Sequence, residues 1–176
     1  PFRPAEAEEV ARVRSVYGLP SQFLLYVGTI EPRKNPLTLL EAYRVLCLEG
    51  IDCPLVLAGK LGWRSEQFLE ARRRSGLEQK VRLLGVVPDD DLVPLYSAAD
   101  AFVFPSLYEG FGLPALEAMA CGSLLLSYGY EGSDEIIRDG ENSFLIPKGN
   151  IPASAERISA LLREPDLISR IIHQAR

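Results

Sequence analysis

The sequence predicts an α/β fold, a Rossmann-like doubly wound parallel sheet. Three observations predict it. Short apolar runs alternate with amphipathic helical stretches along the 176 residues. Runs such as Leu55-Val56-Leu57-Ala58 and Ala101-Phe102-Val103-Phe104 are apolar throughout, which means burial on both faces. Strand-helix alternation in turn implies parallel crossovers.

Each element has its own signal. Residues 5–17 read as a helix closed by Gly18. The first strand is the apolar run 23–27. Asn35 is placed to cap a helix with Pro36 at its first position, ending by Gly50. The second strand is 55–58, followed by a basic amphipathic helix over 64–75 that Gly76 ends. The third strand is 81–84, and Asp89-Asp90-Asp91 opens a helix reaching Ala99. Then come strand 101–104, helix 114–121 with Pro114 at its first position, strand 124–127, a short helix near 133–138, strand 144–146 and terminal helices from about Pro152. Strand order 3-2-1-4-5-6 is the expectation. It places a ligand crevice between the first and fourth strands, at their carboxyl ends.

The bulk properties narrow the function. A net charge of −5 argues against a nucleic-acid groove. No apolar run is long enough to span a membrane, and no signal peptide opens the chain. The three cysteines, Cys47, Cys53 and Cys121, lack metal-type spacing and read as buried thiols of a cytoplasmic protein, with a Cys47–Cys53 bridge as the alternative. The chain opens on Pro1, its one methionine is Met119, and it ends inside a helical pattern. It reads as one domain, 1–176, cut from a larger protein. The single histidine, His173, reads as solvated.

Two loops carry the chemistry, and both fall on the expected crevice. In the first, Gly28-Thr29-Ile30-Glu31-Pro32-Arg33-Lys34-Asn35, two cations stand just before a helix N-terminus, where the helix dipole disfavours them. They suit a diphosphate, the arginine as a planar fork and the lysine as a point charge. In the second, Glu109 and Glu117 bracket Gly110-Phe111-Gly112-Leu113-Pro114-Ala115-Leu116. Backbone N–H groups at that helix start attract phosphate. The carboxylates would repel a bare phosphate but accept hydrogen bonds from sugar hydroxyls. Gly59 and Lys60 follow the second strand onto the same rim, where Lys60 reads equally as a ligand contact or as a solvated lysine. Trp63 reads as a packing residue. Tyr128 and Tyr130 border the rim and could touch a ligand or another domain.

Two competing patterns are weaker. Gly110 to Ala115 matches G-x-G-x-x-A, with Glu131 at a plausible distance for a ribose acid. That fingerprint belongs in a short turn after the first strand of its unit, not several residues beyond a later one. The D-x-D of Asp89 to Asp91 could hold a metal on a diphosphate, but acids at a helix start already have a role as caps. With Arg33 and Lys34 at hand, the diphosphate needs no metal ion.

Taken together, the E-x7-E stretch from Glu109 to Glu117, the loop Gly28 to Asn35 and the Leu84-Gly85-Val86 segment resemble the C-terminal domain of group 1 glycosyltransferases, the family 4 retaining enzymes of GT-B architecture. The resemblance covers nearly the whole chain. It implies that Arg33 and Lys34 bind the donor diphosphate and stabilise the leaving group. It implies that Glu109 holds the donor sugar and Glu117 the ribose. Gly28, Thr29, Gly59 and Lys60 would line the donor site. Backbone at Phe111, Gly112 and Leu113 would contact sugar and phosphate, and backbone at Val86 and Val87 the base. Residues 1–20 become a lead-in helix from an interdomain linker. The missing N-terminal domain would bind a saccharide or lipid-linked acceptor, and the full-length enzyme would be cytoplasmic or membrane-peripheral. No cofactor is implied; the donor is a nucleotide-diphosphate sugar. Glu31-Pro32-Arg33-Lys34-Asn35 resembles members that use GDP-mannose in bacterial polysaccharide synthesis. Three departures stand out. Thr29 stands where many relatives carry arginine, Ser123-Leu124 replaces a common Pro-Val, and Tyr128 to Asp134 is bulkier than the usual glycine-rich turn. The alternatives are a non-catalytic nucleotide-sugar binding module and an NAD-type dinucleotide domain.

Overall fold

Six short runs of apolar residues alternate their side chains between two helical layers, and this sets the architecture. The computed structural model describes residues 2–130, 132–164, 167–168 and 171–172. Strands β1 (Leu24–Val27), β2 (Leu55–Ala58), β3 (Val81–Gly85), β4 (Ala101–Phe104), β5 (Leu125–Ser127) and β6 (Phe144–Leu145) form one sheet in the order β3-β2-β1-β4-β5-β6. Every pairing is parallel. The expected order and switch point are both present.

The helices are α1 (Ala7–Tyr17), α2 (Pro36–Leu48), α3 (Ser65–Arg74), α4 (Asp89–Ala98), α5 (Leu113–Ala120) and α6 (Ile151–Leu162). Leu24, Tyr26, Leu55, Leu57, Val103 and Leu126 face one layer, built on α2, α3 and α6. Leu25, Val56, Ala58, Phe102, Phe104 and Leu125 face the other, built on α4 and α5. Successive strand residues point to opposite faces, so both sets must be apolar. Burying one such leucine or phenylalanine contributes about 1.5–3 kcal/mol.

Local departures from the expected elements have physical causes. Asn35 does not cap α2 with its side chain. Its backbone takes the left-handed conformation, φ 57°, between a 3₁₀ turn (Pro32–Lys34) and α2. Asparagine tolerates that region better than most residues. Its freed side chain instead donates to the Pro105 carbonyl at 3.1 Å and accepts from the Thr38 hydroxyl at 2.7 Å. Helix α5 begins at Leu113, with left-handed Gly112 as its cap, so Pro114 sits second rather than first. The helix expected near 133–138 is only a 3₁₀ turn over Ser133–Glu135. There the Asn142 side chain accepts from the Arg138 N–H and donates to the Ile136 carbonyl, taking groups that a helix would use. All three cysteines are free thiols; burial raises Cys53 to about 12 and Cys121 to about 11. Among the described residues no helix is long and apolar enough to cross a membrane.

Candidate functional site

The carboxyl ends of β1, β2 and β3 each finish on a glycine, and the three backbones lie in hydrogen-bonded steps. Gly28 N–H donates to the Ala58 carbonyl at 2.9 Å, and Gly59 N–H donates to the Gly85 carbonyl at 2.7 Å. The approach is so close that a side chain at Gly59, where φ is +148°, would run into the Gly28 carbonyl. Tyr26, buried at the end of β1, donates its hydroxyl to the Thr29 carbonyl at 2.9 Å and so fixes the turn that leaves the strand. Ile30 N–H then donates to the Lys60 carbonyl at 2.9 Å, which ties the first two rim loops together. The result is a ledge of backbone along half the sheet edge.

Facing that ledge, the loop after β4 is fastened to the loop after β1. Asn35 holds Pro105, and Leu107 N–H donates to the Arg33 carbonyl at 3.1 Å. Arg33 Nη1 donates to the Tyr108 carbonyl at 3.2 Å. These bonds deliver Glu109 to the cations. Lys34 Nζ lies 2.6 Å from Glu109 Oε1, and Arg33 Nη1 lies 3.6 Å from Oε2. Arg33 Nη2 also pairs with Glu31 at 3.0 Å. The Glu109 side chain is 7% exposed and that of Lys34 is 13% exposed, so this pair is largely out of water. Lys34 also rests over the Phe104 ring, 5.8 Å from its centroid.

Beyond Glu109 the chain climbs onto α5. Phe111 and Leu113 are exposed, and the N–H groups of Phe111 and Gly112 find no acceptor among the described residues. A helix start with free amides is a ready anion site. Gly112 is needed on two counts. Its φ is +74°, and a side chain there would strike the Tyr130 hydroxyl. That hydroxyl is buried without a partner among the described residues, and burial followed by the charge of Glu109 raises its pKa.

Glu117 occupies different ground. It lies half-buried on α5, accepts from the Tyr96 hydroxyl at 3.3 Å, and shares a hollow with Asp89 and Asp90 of α4 and with Phe2 and Arg3. Burial raises its carboxyl above the usual range; the Tyr96 bond opposes this and the charge of Asp89 adds to it. The third acid of the run, Asp91, turns inward. It accepts from the Tyr17 hydroxyl at 2.5 Å and from Arg12 at 2.6 Å, pinning α1 to α4. The Tyr17 bond, together with Arg12 and against burial, lowers its pKa.

The structure therefore brings Gly28, Thr29, Arg33, Lys34 and Glu109 together across the switch point, with Gly59, Lys60, Phe111, Gly112 and Leu113 around them. Lys60 is exposed and has no ion pair among the described residues. Val86 is exposed while the Val87 side chain enters the core. One expectation is overturned: Trp63 is not a packing residue. It is 66% exposed on the rim, with the Arg64 guanidinium 4.3 Å from its ring centroid. Its loop neighbours Leu61 and Arg64 are themselves exposed, and Trp63 belongs to neither buried core cluster. Glu131 and His173 lie outside the described residues. The roles of Tyr26 and Tyr96 were not legible in the sequence, because a tyrosine in an apolar run reads simply as core; Tyr128 and Tyr130, read as bordering the rim, are both buried.

These features define a Rossmann-like α/β domain whose switch-point crevice holds a cation–carboxylate cluster beside a free helix start. The chain belongs to the group 1 glycosyl transferases, whose family model matches residues 11–176. It is 44% identical to O-antigen chain mannosyltransferase B of Escherichia coli over 140 residues, 78% of this chain and 37% of that protein. It is 34% identical to a D-inositol 3-phosphate glycosyltransferase of Streptomyces bingchenggensis over 181 residues, 97% of this chain and 39% of that one. Among solved structures it is similar to the C-terminal domain of the group 1 family protein LpcC from Francisella tularensis. That match has TM-score 0.83 and 26% identity, and covers 99% of this chain and 91% of that one. The fold is also that of Anabaena HepE in complex with UDP and glucose, with TM-score 0.86, 22% identity and coverage of 98% and 47%. The chain thus spans less than half the length of these two curated relatives.

Proposed function

We propose that this chain is the donor half of a GT-B glycosyltransferase that moves a sugar, with retention, from a nucleoside diphosphate to an acceptor, without a metal ion. The observation that carries the reading is the meeting of Arg33, Lys34 and Glu109 beside the free amides of Phe111 and Gly112. As the bond from the sugar's anomeric carbon to the diphosphate breaks, negative charge gathers on the departing phosphate. Lys34, Arg33 and the α5 N-terminus are fixed where they stabilise it. The sugar becomes cationic, and the nearby Glu109 carboxylate offsets that charge while accepting the sugar's hydroxyl bonds. Glu117 takes the ribose, and backbone at Val86 and Val87 takes the base. GDP-mannose is the favoured donor, supported by identity to a relative that is named a mannosyltransferase. The acceptor, saccharide or lipid-linked, is bound mainly by a second domain across the cleft, in a cytoplasmic or membrane-peripheral enzyme.

The test is calorimetric titration of the chain with GDP, UDP and ADP and with their hexose conjugates, in chelator. Binding of one nucleotide class, GDP with mannose first, is expected with no requirement for divalent ions. Transfer is expected only in the full-length enzyme, since orienting the acceptor and excluding water need both walls of a cleft. No binding of any of these ligands would refute the donor-site reading, and loss of binding in chelator would overturn the metal-independent reading; Asp91, held by Tyr17 and Arg12, is not free to share a metal with Asp89.

A further inference from the structure

Charge counting around the clasp exposes a conflict. Arg33 and Lys34 supply two positive charges, and Glu31 and Glu109 already neutralise them at 3.0, 3.6 and 2.6 Å. An arriving diphosphate therefore meets a neutral, ion-paired cluster and not two free cations. It also meets the Glu109 carboxylate, which repels it. We infer that Glu109 is a built-in counter-anion that the donor's diphosphate displaces from Lys34 and Arg33, and that the same exchange run backwards helps to expel the nucleoside diphosphate after transfer. The inference rests on the donor-site reading above and adds an order of events to it.

The chemistry distinguishes substrate from product. Pulled from Lys34, a carboxylate with so little exposure needs new donors. A nucleotide sugar brings them as hydroxyl groups, so Glu109 exchanges an ammonium partner for sugar hydroxyls while Lys34 takes the phosphate. A bare nucleoside diphosphate brings no hydroxyls to that spot. Once the sugar has left, Glu109 loses its partners, returns to Lys34, and loosens the hold on the product. The loop bonds from Asn35 to Pro105 and from Leu107 to Arg33 keep the carboxylate within reach throughout.

The experiment compares the chain with its Glu109→Gln and Lys34→Met variants and the double variant. Each is titrated with GDP, UDP and ADP and with the matching nucleotide sugars. Glu109→Gln is expected to bind the diphosphate roughly three- to tenfold more tightly, the span of an ion pair of this exposure. The nucleotide sugar should show no such gain, so the preference for substrate over product narrows. In the Lys34→Met background the 2.6 Å pair is gone, and only the longer Arg33 contact and the direct repulsion are left for Glu109→Gln to remove, so the same change should do less. If Glu109→Gln melts too low to assay, Glu109→Asp, which withdraws the carboxylate from Lys34, is expected to shift affinity the same way. Equal or weaker diphosphate binding by the Glu109 variants, with the unsubstituted chain binding normally, overturns the exchange and leaves the donor-site reading standing. Failure of the unsubstituted chain to bind any of the six ligands overturns both.

Discussion

Glu109 and Glu117 belong to one E-x7-E stretch, yet the two halves of the rim they occupy are electrostatic opposites. Glu109 is clasped by Lys34 and Arg33 from the facing loop. Glu117 has a tyrosine hydroxyl for a partner and shares its hollow with Asp89, Asp90 and Arg3 without an ion pair to it among the described residues, and its carboxyl is pushed up by burial. One residue type thus meets two environments, set by what the β1–α2 loop brings to one and α4 brings to the other. The cationic half suits the part of a donor where charge changes during reaction. The half around Glu117 suits a neutral group that only needs an acceptor, such as a ribose.

The largest expected effect is on the cationic half. Lys34→Ala and Arg33→Ala should each weaken nucleoside-diphosphate binding by about 1.5–3 kcal/mol. Lys34→Ala should have the greater effect, because its side chain is 13% exposed against 48% for Arg33 and its charge is less screened. Lys34→Ala should also lower the melting temperature, since it leaves Glu109 buried without its nearest cation. Calorimetry and thermal denaturation of both variants check this. Unchanged affinity in both would remove the phosphate role from this half of the rim.

Asp91 sharpens the contrast, because it too is a buried carboxylate with a cation but lies on the far side of α4. Its partners Tyr17 and Arg12 serve only to dock α1. Asp91→Asn should cost about 1–3 kcal/mol of stability and leave nucleotide affinity unchanged. The native pKa is lowered, so the stabilising contribution is full above the ordinary aspartate range and is lost as pH falls through the native value. Denaturant midpoints across acidic pH test the sign. A matching loss of nucleotide affinity would show that the two carboxylates are not functionally distinct.

Topology was legible in the sequence because strand runs and helix stretches differ in period, and six strands with alternating crossovers leave few arrangements. The location of the crevice followed from topology. The contacts inside it did not. Arg33 and Lys34 read as free cations awaiting an anion, and nothing in their spacing showed that Glu109, some 75 positions on, would already hold them. Asn35 read as a cap because asparagine before proline usually is one; its left-handed backbone sent the side chain across the crevice instead. Trp63 read as core because tryptophan usually is, but its loop offers it no apolar wall. The clasp of Glu109 and the reach of Asn35 to Pro105 join side chains 70 or more positions apart, which local pattern cannot report.

The smallest effect separates a binding role for Glu117 from a merely structural one by its sign. If the acid only complemented the start of α5, replacing it by glutamine would destabilise the fold by about 0.3–1 kcal/mol. Its raised pKa argues the reverse. Over a window from the ordinary glutamate value up to the native one, the folded state keeps a proton that the unfolded chain has lost. Stability then falls as pH rises through that window, and the cost persists above it. Glutamine cannot ionise, still accepts from Tyr96, and no longer opposes Asp89. Glu117→Gln should therefore match the native chain near the acid end and gain on it as pH climbs through that window. The same variant should bind nucleoside diphosphate and nucleotide sugar more weakly, and by equal factors, because a neutral amide is a poorer acceptor for the ribose hydroxyls. Melting curves against pH, beside titrations of both ligands, give the two signs together. A variant that loses stability at neutral pH and keeps its affinity would make Glu117 a helix-start acid and nothing more, and the difference between the two glutamates would then reduce to Glu109 alone.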